Sequence, residues 1–578
     1  MNAIRLLMLA VLAGTLPLPL RAGDMPGEFW LGAGAQCHFQ TLQVAVGAVP
    51  DGSIIRIASN QEYADTNVFI NDRSMTLLGG YADCTGTPGP DPVLAGAPGA
   101  NAAVIRFQSQ PNPRELTLRR LRIEGGTNSG LSLSGRVDVE LDRVRIDRST
   151  ADSGGGIVIF GASTALTRVR LTSTIIGNFD PEPYSGNHAQ VRGGGIACQL
   201  ATITLNGAVI RNNVSDSMGG GLYTENCRVD TYVQEYFIAA EGGIGALIAN
   251  NRAPAGGGIY ARSASVLTLG PLTGLNAIRD NEADTGGGVY LSGSGTRLDG
   301  AGLSIDGNLA QQTGGAGRIL DAAALTLRRT PMQALDAPNA VDSRGQALLA
   351  YTCYEPIECN TVRFNRAETQ TGGAFHTTSS LLALGNTAIT DNYSGQGSTL
   401  QLIATNSRIE NSLLARNDNG TGELVRLAAG SNLGLNASTI TDNTTGDAVF
   451  RTFPAEGANN LVLLNSIIWQ PGSDVLDATQ VDTSQSTCVN AHEAESIGAV
   501  THEPGFVDAS AGNYRLHATS SNIDACDDPF FGASAVDILG RARPADLGNV
   551  YANGIHDRGA FELPDRIFAS DMGEPPPF

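Results

Sequence analysis

Acidic and arginine side chains are the residues in this chain whose types and spacing could do chemistry. Asp147, Asp280, Asp306, Asp391 and Asp442 each stand just after a short strand-like segment. If those segments stack, the acids line up as a stripe, and paired carboxylates could hold Ca²⁺ or hydrolyse a glycosidic bond. Asp also favours turns, and the turn reading takes precedence. Arg143, Arg145, Arg168 and Arg170 lie on strand-like segments and face outward at period two, with Arg122 continuing the row. Arg143 and Arg145 beside Asp147 are thus the best candidate for an acid–base centre. The plainer reading is an exposed arginine row with acidic neighbours.

Other chemistries find little support. The seven His (His38, His188, His376, His492, His502, His517 and His556) are scattered and form no metal-ligand spacing. No Cys-x-x-Cys pair suggests a zinc site, and no cofactor is expected beyond the Ca²⁺ that the acids could hold. There is no Gly-x-Ser-x-Gly elbow and no Gly-Lys-Ser/Thr phosphate loop. All 37 Lys or Arg residues are Arg, which excludes a lysine base, and the net charge of −20 argues against a nucleic-acid partner.

The elements that would position these residues are repeats. Gly-Gly-Gly or Gly-Gly-Ala boxes recur at Gly154, Gly193, Gly219, Gly256, Gly286, Gly314 and Gly372, most of them a few residues after an Asn. Asn392, Asn417 and Asn443 keep a spacing of about 25 residues, and short apolar segments such as Ile203-Thr204-Leu205 and Leu461-Val462-Leu463-Leu464 recur between them. No sustained 3.6-residue pattern competes. The array therefore predicts an all-β, right-handed parallel β-helix. Gly permits tight corners, and an Asn amide can bond the Asn one coil away. Tyr223, Tyr260 and Tyr290 hold the same place after their boxes and could stack, either buried or as an exposed ladder suited to sugar rings.

The predicted organisation follows. Residues 1–22 read as a secretory signal with cleavage after Ala22. Residues 23–103 form an N-terminal cap and first coils, with an amphipathic helix over Phe39, Leu42, Val46 and Val49. Residues 104–470 are the repeats, 471–563 a C-terminal capping region and 564–578 a flexible tail. Pattern lapses at Pro181–Val191 and Arg328–Pro356 read as projecting loops. No apolar run is long enough to span a bilayer as a helix.

The repeats from Leu116 to Trp469 resemble those of chlamydial polymorphic outer-membrane proteins and related right-handed parallel β-helix proteins. Cys37 to Cys84 looks like the entry of many secreted bacterial β-helix proteins. Glu503-Pro504-Gly505-Phe506-Val507-Asp508, Ser521 to Cys526 and Asp557-Arg558-Gly559-Ala560-Phe561-Glu562 resemble the terminal region of the choice-of-anchor Q β-helix family. The resemblance implies fold and export to the outside or outer surface of a bacterium. Eight Cys suit an oxidising destination. The expected pairs are Cys37–Cys84, Cys198–Cys227, Cys353–Cys359 and Cys488–Cys526. The functional expectation is a monomeric, non-catalytic binding, adhesion or structural module for polysaccharide or another surface polymer. The alternative is a polysaccharide lyase or glycoside hydrolase on the same scaffold.

Overall fold

A computed structural model describes residues 27–563, except 181, 232–243, 271–274, 329–359, 447, 454–456, 478–480, 494–496, 498, 528–535, 540–542 and 544–553. The chain winds into a right-handed parallel β-helix of about 15 turns. One coil shows the plan. Ile196–Gln199, Thr202–Asn206 and Ala208–Arg211 form sides one, two and three, and Val214–Ser215 starts side four. Each strand pairs in parallel with its counterpart in the next coil, as Ile196 does with Leu222 and Leu222 with Ile259. Inward residues of sides one to three fill a continuous apolar core, including Ile157, Ile196, Leu222, Ile259 and Val289.

The repeated residue types have separate causes. Gly219 opens its box at φ 66°, a conformation that costs Gly little. A Cβ on Gly220 would stand 2.5 Å from two carbonyl oxygens of the next coil, and one on Gly221 would stand 2.8 Å from the Asn251 amide. Asn251 is fully buried. Its backbone N and Nδ2 both donate to Asn281 Oδ1 at 3.0 Å, and Nδ2 also donates to the Ile210 carbonyl. The same bonds repeat from Asn187 and Asn213 through Asn308 and Asn365 to Asn417 and Asn443. Buried amides so completely paired fix the register of the coils.

Coil pairing runs from Glu28–Leu31 to Asn490–Ala491. The helix Leu42–Ala48 buries Leu42, Ala45 and Val46 over the first coils. Pro181–Val191 is only partly a loop. His188–Arg192 is a side-four strand, because Asn187 already occupies the ladder. The counterpart at Arg328–Pro356 falls almost wholly outside the described residues.

Disulfides join Cys37 to Cys84, Cys198 to Cys227 and Cys488 to Cys526. Cys353 and Cys359, like Ala22 and the tail from residue 564, lie outside the described residues. The terminal motif packs against the side of the stack. Gly559 N donates to the Asn465 carbonyl at 2.8 Å and Ala560 N to Thr439 Oγ1 at 3.0 Å. Tyr514, Ile538 and Phe561 pack on Leu413 and Ala415.

Candidate functional site

Side one carries the feature with the clearest capacity to bind. Strand alternation turns Phe69 outward between buried Val68 and Ile70, and Phe160 outward beyond buried Ile159. Register places Phe69, Arg106, Ser132 and Val158 in one column across successive coils. Ser134 and Phe160 share the next column. Between the two phenylalanines lies an open groove of about 720 Å³. Asn101, Asn128 and Asp152 line its edge, and Ser132 and Ser134 lie on its floor.

Most of the groove's polar groups are unengaged, the exceptions being Arg106 and Ser153, whose hydroxyl accepts from Arg192 Nε at 3.2 Å. Among the described residues, the side chains of Asn67, Asn101, Asn128, Ser132, Ser134 and Asp152 have no hydrogen bond or ion pair with another side chain or the backbone. Phe69 and Phe160 are 42% and 45% exposed, unusual for phenylalanine on an ordered strand. Arg106 is held in place. Its guanidinium lies 5.0 Å from the Phe69 ring centre and donates to Gln108 Oε1 at 3.3 Å.

Further along the same side, register stacks Tyr223, Tyr260 and Tyr290. The rings of Tyr223 and Tyr260 are 5.7 Å apart and 12° from parallel; those of Tyr260 and Tyr290 are 4.7 Å apart and 9° from parallel. Tyr223 is buried under Arg192, whose guanidinium lies 5.2 Å from its ring centre, while Tyr260 and Tyr290 are half-buried. Burial, with a smaller effect of neighbouring Tyr290, pushes the Tyr260 hydroxyl up to about 12. Both faces of Tyr260 are covered by its neighbours, so the ladder gives a sugar ring edges rather than faces to pack on.

The arginine row divides between sides. Arg143 takes φ 52° at a corner, which breaks the alternation that would have placed it in line with Arg145. Arg168 and Arg170 belong to side two, beside Asp138 and Glu140. Arg122 and Arg145 are register neighbours on side three. Asp147 is fully buried and accepts from Arg122 Nη2 at 3.1 Å and Arg145 Nη2 at 2.8 Å. Burial opposes the Arg122 charge, but the bond to Asp147 and the nearby acids outweigh it and hold its pKa above the ordinary arginine value. Two guanidiniums therefore occupy Asp147, and Arg122 is set against acting as a base.

The acids form no continuous stripe. Asp280, Asp391 and Asp442 take left-handed corner positions, whereas Asp147 and Asp306 end the preceding strand. Arg416 stands between Asp391 and Asp442 in the stack, and both ends of its guanidinium bond Asp391 at 2.9 Å. Arg363 pairs with Asp306 at 3.4 Å in a buried position. Among the described residues no group of three or more His, Cys, Asp or Glu could hold a metal ion. His188 bonds Asp216 at 2.8 Å, and burial pushes His376 down to about 4.

No protein-family model matches the chain, and no curated protein matches its sequence. Among solved structures, the crystal structure of pectate lyase Pel9A is similar over 94% of this chain and 97% of that one, with 10% sequence identity and a TM-score of 0.26. At that level the likeness says nothing about the groove. Among the described residues no helix is long and apolar enough to cross a membrane.

The sequence reading did not single out Phe69, Phe160, Asn101, Asn128 or Asp152. A signal for the phenylalanines was present. Phe69 is an outward member of an alternating strand, where a solvent-facing position normally carries a polar side chain, and Phe160 ends an apolar run just before Gly161.

Proposed function

We propose that this chain is an exported bacterial β-helix protein that acts without catalysis, as a module binding polysaccharide or another surface polymer in the groove of side one. The observation that carries the reading is the meeting of unengaged amide, hydroxyl and carboxylate groups with two exposed aromatic side chains in a trough along the coil axis. Sugars are bound by that combination, with apolar ring faces on aromatics and hydroxyls on fixed polar groups. The resemblance of the repeats and terminal motifs to polymorphic outer-membrane and choice-of-anchor Q proteins supports a place outside the cell. The three disulfides among the described residues suit that destination.

The test is to incubate the purified protein with a panel of polysaccharides, measuring both retention and the release of reducing or unsaturated ends. Retention without release, weakened by Phe160→Ala, is the expected result. Release of ends that disappears in Arg145→Ala or Arg143→Ala would instead establish a lyase or hydrolase.

A further inference from the structure

Resting on that reading, we infer that the groove takes an uncharged glycan chain lying along the coil axis, not an acidic one. The formal charges within the groove are one of each sign, Arg106 and Asp152. Arg106 is the cation an acidic sugar would need, and its guanidinium is already placed against Phe69 and Gln108. Asp152 is exposed and has no cationic partner among the described residues, so it would repel a carboxylate or sulfate approaching the edge. The whole chain adds to that repulsion with its net charge of −20.

The remaining groups are neutral donors and acceptors. Asn101, Asn128 and Asp152 come from three successive coils, giving one polar group per coil along the edge. Coils repeat every ~4.8 Å, so the three steps from Phe69 to Phe160 span about 14 Å, room for roughly three sugar units. Small residues keep the trough open: Ser132 and Val158 follow Arg106 in the column, and Ala197 comes next before Tyr223 closes it. An extended peptide is a poorer occupant. The backbone groups of side one bond the coils above and below, as Ile157 and Leu131 do, and leave no strand edge for pairing.

The experiment is calorimetric titration of the intact protein, at low and at high salt, with two sets of soluble probes. Uncharged cello-, xylo- and manno-oligosaccharides form one set, and oligogalacturonate and oligoalginate the other. At least one uncharged probe should bind, with affinity unchanged by salt. Phe160→Ala and Phe69→Ala should each weaken it about tenfold, equivalent to about 1.4 kcal/mol, while Tyr260→Ala should not. Tighter binding of a charged probe, falling with salt and lost in Phe160→Ala, would overturn the uncharged-glycan inference while leaving the binding-module reading intact. Failure of every probe to bind would overturn both.

Discussion

Two stretches of side one use the same strand position in opposite ways. From Tyr223 to Tyr290 the outward column is filled by rings that stack on one another, and the Tyr223 hydroxyl bonds Glu225 at 3.2 Å. From Phe69 to Val158 the same column carries Arg106 and Ser132, Phe160 stands in the adjoining column, and polar groups at the edge remain without partners. Backbone geometry is the same in both. A solenoid thus sets where a side chain points, while the sizes of its neighbours one coil away decide whether it packs internally or stays open to a ligand.

The largest expected effect comes from breaking what both stretches share. Asn251→Ala would strand the Asn213 donors that end on Asn251 Oδ1 and remove the Nδ2 bond to the Ile210 carbonyl, costing on the order of 3 kcal/mol in urea unfolding. Glycan binding at native conditions should be retained. Tyr260→Ala would interrupt the ladder in its middle and lower stability by about 2 kcal/mol, again without loss of binding. Phe160→Ala should show the converse, about tenfold weaker binding with an unchanged melting temperature. If both substitutions change binding equally, the division of side one into a packed and an open stretch fails.

Smaller pH effects distinguish the ladder's end from the C-terminal flank. Burial first, and then the charge of Arg318, push His376 down to about 4 from its ordinary 6.5. The unfolded chain takes up that proton at higher pH than the folded one, so stability is lost as pH falls from about 6.5 towards 4. His376→Gln should remove this loss. Asp557 has the opposite sign. Burial raises it to about 6 from 3.8, so the folded state holds a proton between those values that the unfolded chain does not. Acidification across that window should tighten the flank that packs on Leu413 and Thr439. Hydrogen exchange measured at both pH values, comparing Phe375–Thr378 with Tyr514–Leu516, checks the two signs independently.

Much of the architecture was legible in the sequence because a solenoid's determinants are local and periodic. The glycine boxes mark tight corners and close approaches, and the asparagine spacing gives the coil length directly. Asn187 shows the limit. It holds the ladder spacing to Asn213, yet the irregular stretch around it reads as loop, and its bond to Asn213 is what makes the next segment a strand.

The functional site was less accessible. Arg143 and Arg145 sit two residues apart, which implies one face only if the strand is straight. The corner at Arg143 is a property of the folded coil. Asp147 looked like an available carboxylate, and only the neighbouring coil supplies the Arg122 that engages it beside Arg145. The sequence by itself determined the coil and its period, which follow from local repeats and backbone preference, and left open whether side chains such as Tyr223, Tyr260 and Tyr290 would be covered or exposed. Tertiary structure alone decided which of those side chains find partners. Many partners come from the neighbouring coil, and whether a polar group is engaged or an aromatic face is covered depends on the side chain that register places beside it.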